Sequence, residues 1–160
     1  KAGVTRGALY HHYADKKAIF EAVLYREAEA VSAAINQSEE DGGTSDAMAI
    51  LNNGIAAYLK AMQVQGRTRL LLVDGPAILG REVMEEIDRR HAAGQLLLGM
   101  RDALFPQPDS MPGNMLEILA ELISAALDRA ALAVSEGRDP VIYLNAVEVI
   151  LKSIRAKFAS

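Results

Sequence analysis

The chain has 160 residues and a formal net charge of −4, with 51% hydrophobic and 24% charged residues. This composition is typical of one folded domain, or one domain with a small appendage. The absence of cysteine excludes disulfides, cysteine nucleophiles and cysteine-ligated metal sites. No apolar run approaches the roughly 20 residues of a membrane span, and no signal-peptide pattern is visible. We therefore expect a cytoplasmic protein that makes no contact with a membrane.

The charge is unevenly distributed along the chain. The first 17 residues contain four Lys or Arg and one Asp, whereas the rest contain 13 Lys or Arg and 20 Asp or Glu. A basic end on an acidic body favours contact with a polyanion at that end. Four basic residues in a short terminal segment also occur by chance, so charge alone does not decide the partner.

Helical patterns follow one another along the chain, without the alternation of a β-strand. Thr5 can cap a short helix over about 6–12, and Asp15 can cap a long helix that continues to about residue 35. Apolar residues of the long helix recur every three or four positions, at Ile19, Phe20, Val23, Leu24, Ala28, Val31 and Ile35. The polar run 36–46, which contains Gly42-Gly43, predicts a loop.

Two helices are predicted next. Thr44 or Ser45 begins the first of them, and Gly66 ends it. The second is short and stops at Asp74-Gly75-Pro76. Its apolar run LLLV could also suit a buried strand, but no partner strand is predicted elsewhere.

The second half of the chain predicts three further helices. One runs from about Arg81 to Phe105 and is followed by a proline-rich linker at 106–113. The next runs from Asn114 to about Ser135 and ends at Gly137. Asp139-Pro140 is an N-cap followed by proline at the first helical position, which begins the last helix.

The segment AGVTRGALYHHYADKK (2–17) has the features of the second half of a helix-turn-helix. Gly3 permits a tight turn, and the helix start at Thr5 presents free N–H groups to a phosphate. Arg6 can bind a guanine edge, and Gly7 allows close approach. Side chains suited to phosphate contacts are Thr5, Tyr10, His11, His12 and Lys16.

The stretch AGVTRGALYHHYADKKAIFEAVL (2–24) resembles the recognition-helix region of the TetR family of transcriptional repressors. The family pattern is roughly A-G-V-[ST]-x-G-x-[LI]-Y-x-[HY]-F-x-x-K-x-x-L. Tyr13 stands in place of the usual Phe, and Ile19 in place of the usual Leu. The segment LLLVDGPAILGREVMEEIDRRHAAG (70–94) also resembles a stretch in the ligand-binding domains of some members. The residues that match the pattern are Gly3, Val4, Thr5, Gly7, Leu9, Tyr10, His12 and Lys16.

The resemblance implies an all-α fold in two parts. Residues 1–17 would be the remainder of a helix-turn-helix DNA-binding domain, with the recognition helix at about 5–12. Residues 18–160 would form a helical effector-binding and dimerisation domain. The sequence lacks the first helix and most of the second helix of such a DNA-binding domain. The implied partner is double-stranded operator DNA, with Arg6, Gly7 and Tyr10 facing bases.

The resemblance further implies a ligand-responsive repressor that a small-molecule effector releases from its operator. The effector would bind between the helices of residues 44–105. The sequence offers a set of possible lining residues, and the alternative for each of them is an ordinary core residue. These are Tyr58, Met62, Leu72, Met84, Ile87, His91, Leu98 and Met100.

Asp88, His91 and Gln95 raise the question of a metal site, because they share one face of the predicted helix 81–105. Such spacings arise readily by accident. We favour a solvated or hydrogen-bonded histidine, with neither a metal nor another cofactor.

In the family, the last two helices pair with those of a second copy in a four-helix bundle, so the resemblance implies a homodimer. The alternative is a monomer that folds both helices onto its own body. Residues that we expect to be shared between core and interface are Leu119, Leu122, Ile123, Ala126, Ala130, Leu144, Val147, Leu151 and Ile154.

Two other classes of function compete with a regulator. An enzyme is not expected, because no Gly-rich phosphate loop, metal pattern or nucleophile–base pair is visible. A helical protein–protein adaptor, or a sensor domain without DNA binding, would explain the apolar last helices. It would not explain the motif AGVTRGALYHHY.

Overall fold

A computed structural model describes residues 13–105 and 114–158, and this part of the chain is helical throughout with no β-strand. This confirms the predicted all-α fold. The helices are α1 (Lys16–Asp41), α2 (Ala47–Met62), α3 (Arg67–Arg69), a π-helical turn (Leu70–Asp74), α4 (Gly75–Leu79), α5 (Arg81–Arg90), α6 (Ala92–Leu104), α7 (Met115–Ser135) and α8 (Pro140–Phe158).

Helix α2 lies at the centre of the described part and packs against α1, α6, α7 and α8. Helix α1 buries one stripe against the body, formed by Leu24, Ala28, Val31 and Ile35. These four residues are spaced by four, three and four positions, which places them on one face of the helix. None of the described helices has the length and apolar character needed to cross a bilayer.

Local capping chemistry sets several helix ends where the sequence predicted them. Asp15 Oδ1 accepts a 2.8 Å hydrogen bond from the Ala18 N–H and starts α1. Gly137, at φ +93°, ends α7 with paired backbone bonds typical of a Schellman motif. Asp139 Oδ1 accepts from the Val141 N–H at 2.9 Å, and α8 begins at Pro140.

The loop predicted over 36–46 is wrong for its first half, because α1 continues to Asp41. The six residues 36–41 are polar and exposed or half-buried, and they extend the helix into solvent. The Gln37 side chain donates to Asp41 Oδ1 at 3.0 Å, an i,i+4 contact that supports the extension. The next helix starts after Asp46, which caps it, and not at Thr44 or Ser45.

The predicted ends of the next two helices also need correction. Helix α2 ends at Met62, before Gly66, because side chains of the following segment bind its last carbonyls. The helical segment after it continues through Asp74-Gly75-Pro76 to Leu79. A π-helical turn allows this, since the Gly75 N–H bonds to the Leu70 carbonyl five residues back. Pro76 then lies in the first turn of α4, where no N–H donor is needed.

The single helix predicted from Arg81 to Phe105 is two helices, because the chain leaves helical geometry at His91. The break brings the Arg89 carbonyl oxygen within 2.5 Å of the position that a Cβ atom on Gly94 would occupy. Glycine at position 94 therefore permits the close approach of α5 and α6.

Candidate ligand-binding site

A cavity of about 280 Å³ lies between α1, α2, the π-helical turn, α4, α5, α7 and the first residue of α6. This volume is close to the lower end of the range for small-molecule sites, about 300–1,000 Å³. Residues predicted from the sequence that line it are Tyr58, Met62, Leu72, Met84, Ile87 and His91. Further described residues that line it are Ala28, Val31, Leu71, Pro76, Arg81, Glu85, Asp88, Ala92, Asp128 and Leu132.

Two of the proposed lining residues lie elsewhere. Leu98 is 48% exposed on the surface of α6, and Met100 is completely buried in the core. Both follow the break at His91, which turns α6 relative to α5. The prediction of one uninterrupted helix therefore assigned Leu98 to the wrong surroundings, whereas Met100 is an ordinary core residue, the alternative stated for every residue of the set.

The main polar contact in the cavity joins Tyr58 of α2 to Asp128 of α7. The Tyr58 hydroxyl donates a 2.6 Å hydrogen bond to Asp128 Oδ1. Burial raises the pKa of Asp128 to about 6, although the hydrogen bond from Tyr58 acts in the opposite direction. Burial, together with the neighbouring carboxylate, also raises the pKa of Tyr58 well above its ordinary value. Tyr58 therefore stays a neutral donor to this carboxyl group.

A second carboxyl group, that of Asp88 on α5, lines the same cavity. Burial raises its pKa, against the lowering effects of the Ala93 N–H, the Ser124 hydroxyl and the positive form of His91. The Ser124 hydroxyl lies 3.5 Å from Asp88 Oδ2. The negative charge of Asp88 further raises the pKa of Asp128, so the two carboxyl groups influence each other. The cavity therefore contains a coupled acidic pair.

Charged residues of opposite sign line the outer part of the cavity. The Arg81 guanidinium and the Glu85 carboxylate form a 2.7 Å ion pair, and both side chains are largely exposed. His91 packs edge-to-face against Tyr25 of α1, with ring centroids 6.4 Å apart. Gln95 is turned away from this site and donates to the Ser32 carbonyl of α1 at 3.2 Å. Among the described residues, no group of three or more His, Asp or Glu could hold a metal ion.

Helix α1 connects the cavity to the N-terminal motif. Ala28 and Val31 line the cavity, and the same helix begins at Lys16, which is exposed. Arg67 Nε binds Glu27 Oε2 at 2.9 Å, which ties α1 to the segment that continues into the π-helical turn. Both side chains of this pair are mostly buried, and the hydrogen bond from Arg67 lowers the pKa of Glu27.

Sequence reasoning missed two parts of this arrangement. Asp128 directly follows the uncharged stretch LISAAL (122–127) of the predicted helix, and that is the signal that could have found it, since a carboxyl group is rarely buried without a role. The ion pair of Glu27 with Arg67 joins residues 40 positions apart, and no local pattern indicates it.

The proposed DNA contacts fall mostly outside the described residues. This applies to Thr5, Arg6, Gly7, Tyr10, His11 and His12, and to the recognition helix at about 5–12. Lys16 is described, and its side chain is exposed next to the cap of α1. Tyr13 is half-buried. These contacts stay predictions, as does the domain boundary after residue 17, which lies within α1.

The proposed interface residues divide into three groups by their burial. Ile123, Ala130, Val147 and Leu151 are buried within the single chain, whereas Leu122 is 62% exposed and Ala126 is also exposed. Leu119, Leu144 and Ile154 are half-buried and pack against the core. Exposed apolar side chains of α7 and α8 that are not among the proposed interface residues are Met115, Ile118, Val141, Ile142, Val149 and Ile150.

Comparison with known proteins decides the family. The model described as "Tetracyclin repressor-like, C-terminal domain" matches residues 48–155, which include nearly all of α2, all of α3 to α7 and most of α8. The chain belongs to the TetR family. A second model, "Bacterial regulatory proteins, tetR family", matches residues 1–23. Both the helix-turn-helix remnant and the helical C-terminal domain of the predicted fold thus have a matching family model.

A curated relative of the chain is the A-factor receptor protein of Streptomyces griseus. It is 34% identical over 116 residues, which cover 69% of this TetR-family chain and 38% of the relative. The chain thus spans well under half of the length of the relative that it matches.

Proposed function

We propose that the intact protein is a homodimeric repressor that binds double-stranded operator DNA through residues 5–16 and that a small molecule in the cavity releases it. The observation that carries this proposal is the dual position of α1. Ala28 and Val31 of this helix line the cavity, and Lys16, within the DNA-binding motif, is its first residue. A continuous helix transmits movement along its axis, so occupation of the cavity displaces the motif.

The proposed control is a two-state equilibrium. Operator DNA stabilises one position of α1, and the effector stabilises another, so each ligand weakens binding of the other. The ion pair between Glu27 and Arg67 supports this coupling, because it links α1 to the segment that carries the π-helical turn. The relative from Streptomyces griseus is named as a receptor, which agrees with an effector site in this chain.

The proposed homodimer is supported by an uncovered apolar face on α7 and α8. Ile118 and Leu122 are exposed on α7, and Ile142, Val149 and Ile150 are exposed on α8. Spacings of four and of seven or eight positions place these side chains on one face of each helix. An apolar face of this kind on two adjacent helices is typical of a subunit interface.

Selection of duplex DNA from a random library with the intact protein tests the proposal. Binding of the selected duplex is then measured by fluorescence anisotropy for Tyr10→Ala and Lys16→Ala, at several salt concentrations. We expect Lys16→Ala to weaken binding and to reduce the salt dependence by about one charge, as loss of a phosphate contact does.

The matched control is Arg101→Ala, which removes an exposed positive charge from α6. Helix α6 packs away from the motif, because its residue Gln95 contacts the half of α1 that is distant from Lys16. Unchanged DNA binding by both motif variants, in protein that stays dimeric, would refute the proposal and favour an adaptor or a sensor without DNA binding.

A further inference from the structure

We propose that the cavity binds an organic cation, that is, an apolar molecule whose protonated amine lies against the carboxyl groups of Asp88 and Asp128. The inference rests on the proposed function, since it takes this cavity as the effector site. It goes further by naming the class of effector, which follows from the distribution of charge over the lining.

The charges at the outer part of the cavity neutralise each other. Arg81 Nε lies 2.7 Å from Glu85 Oε1, and the two side chains are 88% and 55% exposed. Solvent screens this pair, so it contributes little to the potential inside. Among the described lining residues, Arg81 is the one Lys or Arg. The interior therefore has two carboxyl groups and no strongly basic side chain to pair with them.

The neighbours of the two carboxyl groups leave acceptor capacity unused. Within the described residues, Asp128 accepts one side-chain hydrogen bond, at Oδ1 from Tyr58. Asp88 accepts one at Oδ2 from Ser124 and a further one from the Ala93 backbone N–H. A carboxylate has room for about four such bonds. A protonated amine is a compact donor of three hydrogen bonds, which suits a cavity lined by two carboxyl groups with free acceptor positions.

Electrostatics favours a cation over the other ligand classes. Asp88 and Asp128 lie on different helices, and their like charges disfavour joint ionisation. One positive charge between them offsets this repulsion. The other titratable group near Asp88 is His91. An anionic ligand would add to the repulsion, and a wholly apolar ligand would remove water from both carboxyl groups without replacing its hydrogen bonds.

The remaining walls select an apolar body for the ligand. Side chains on several helices supply this surface, and two of them are methionines, which adapt to the shape of a ligand. The apolar lining consists mainly of Val31, Met62, Leu71, Leu72, Met84 and Ile87. A molecule with one cationic nitrogen on a hydrocarbon frame fits both parts of the cavity.

The test uses amines and alcohols that are matched in shape. Isothermal titration calorimetry at pH 7.5 compares benzylamine, 2-naphthylmethylamine and decylamine with the corresponding alcohols on the intact protein. We expect at least one amine to bind about tenfold more tightly than its alcohol. Asp128→Asn and, independently, Asp88→Asn should remove most of this preference while the affinity for the alcohol stays within about twofold.

Glu121→Gln is the matched control, because it neutralises an exposed carboxyl group on the same helix as Asp128, and it should keep the preference for the amine. Equal binding of amine and alcohol in every pair, or binding of neither, would overturn the inference. So would a preference that both Asp variants retain. Operator binding by the ligand-free protein is measured on the same samples. Its absence would refute the proposed function, whereas operator binding without any preference for amines refutes the ligand class alone.

Discussion

The hydroxyl group of Tyr58 donates a 2.6 Å hydrogen bond to Oδ1 of Asp128, and this bond joins α2 to α7 at the wall of the cavity. The two residues are 70 positions apart in the sequence. The bond therefore contributes both to the packing of the central helix and to the state of a carboxyl group that faces the ligand site.

Replacing Tyr58 with Phe should lower the free energy of unfolding by about 1–3 kcal/mol, because a partly buried carboxyl group loses its hydrogen-bond donor. Urea unfolding at pH 7.5 measures the change. The control is Tyr143→Phe, which removes a hydroxyl group from a half-buried tyrosine of α8. Equal decreases of the unfolding free energy in the two variants would show that the hydrogen bond to Asp128 makes no specific contribution to stability.

The stability of the protein should depend on pH through Asp128. Its pKa is about 6 in the folded protein, against an ordinary value of 3.8, so the native state keeps this proton when the unfolded chain has released it. This residue's contribution to stability therefore falls as the pH rises from about 4 to about 6. Tyr58 and Asp88 are the titratable groups that face it.

The variant Asp128→Asn has no such proton to lose. When the pH rises from 4 to 8, the unfolding free energy of this variant should increase by about 1–3 kcal/mol relative to that of the wild type. Urea unfolding at both pH values measures this difference, with Glu121→Gln as the exposed carboxyl control. If the unfolding free energy of Asp128→Asn instead increased relative to wild type as the pH falls, the result would contradict the burial of this carboxyl group.

Two glycines within helices should respond in opposite ways to alanine. A Cβ atom on Gly94 would lie 2.5 Å from the Arg89 carbonyl oxygen, so Gly94→Ala forces the backbone apart and should cost more than about 2 kcal/mol. A Cβ atom on Gly54 would lie 3.5 Å from Ile35 Cγ2, an ordinary contact. Gly54→Ala should therefore be neutral or stabilise by up to about 1 kcal/mol. Thermal unfolding separates the two, and a harmless Gly94→Ala would refute the close approach at the break.

The exposed face of α7 and α8 should hold the dimer together. Ile142 and Val149 are 66% and 64% exposed, and glutamate at either position would place a charge in an apolar interface. We expect Ile142→Glu and Val149→Glu to be folded monomers by sedimentation and circular dichroism. Val64→Glu, on an exposed apolar residue after α2, should stay dimeric. A monomeric wild-type protein, or variants that remain dimers, would contradict the proposed interface.

The parts of the fold that sequence could predict are those that local chemistry determines. Asp15, Gly137 and Asp139 act through atoms within a few residues of themselves, and each ends or begins a helix as expected. The first half of the polar run 36–46 was wrongly predicted as a loop, because a solvated helix and a loop have similar compositions.

The sequence could predict the lining residues whose positions follow from helical periodicity. It could not predict those whose positions depend on contacts between helices. Tyr58 and Met84 line the cavity as expected, but Leu98 does not, because the break at His91 depends on packing between helices. Both faces of α7 are apolar, so the sequence could not show which face lies inward. The structure buries Ile123 and exposes Leu122, although they are adjacent.

The π-helical turn at Leu70–Asp74 also limits how the length of the chain can change. Deleting one residue there would close the turn into an ordinary α-helix and rotate α4 by about 100° relative to α3, the angle that one residue contributes. Pro76, which lines the cavity, and Leu79, which is buried, would both turn away from the body. The exposed connection over 42–46 can become longer without changing the orientation of any helix. Insertions and deletions among proteins of this architecture should therefore accumulate at 42–46, whereas 70–74 tolerates substitution only.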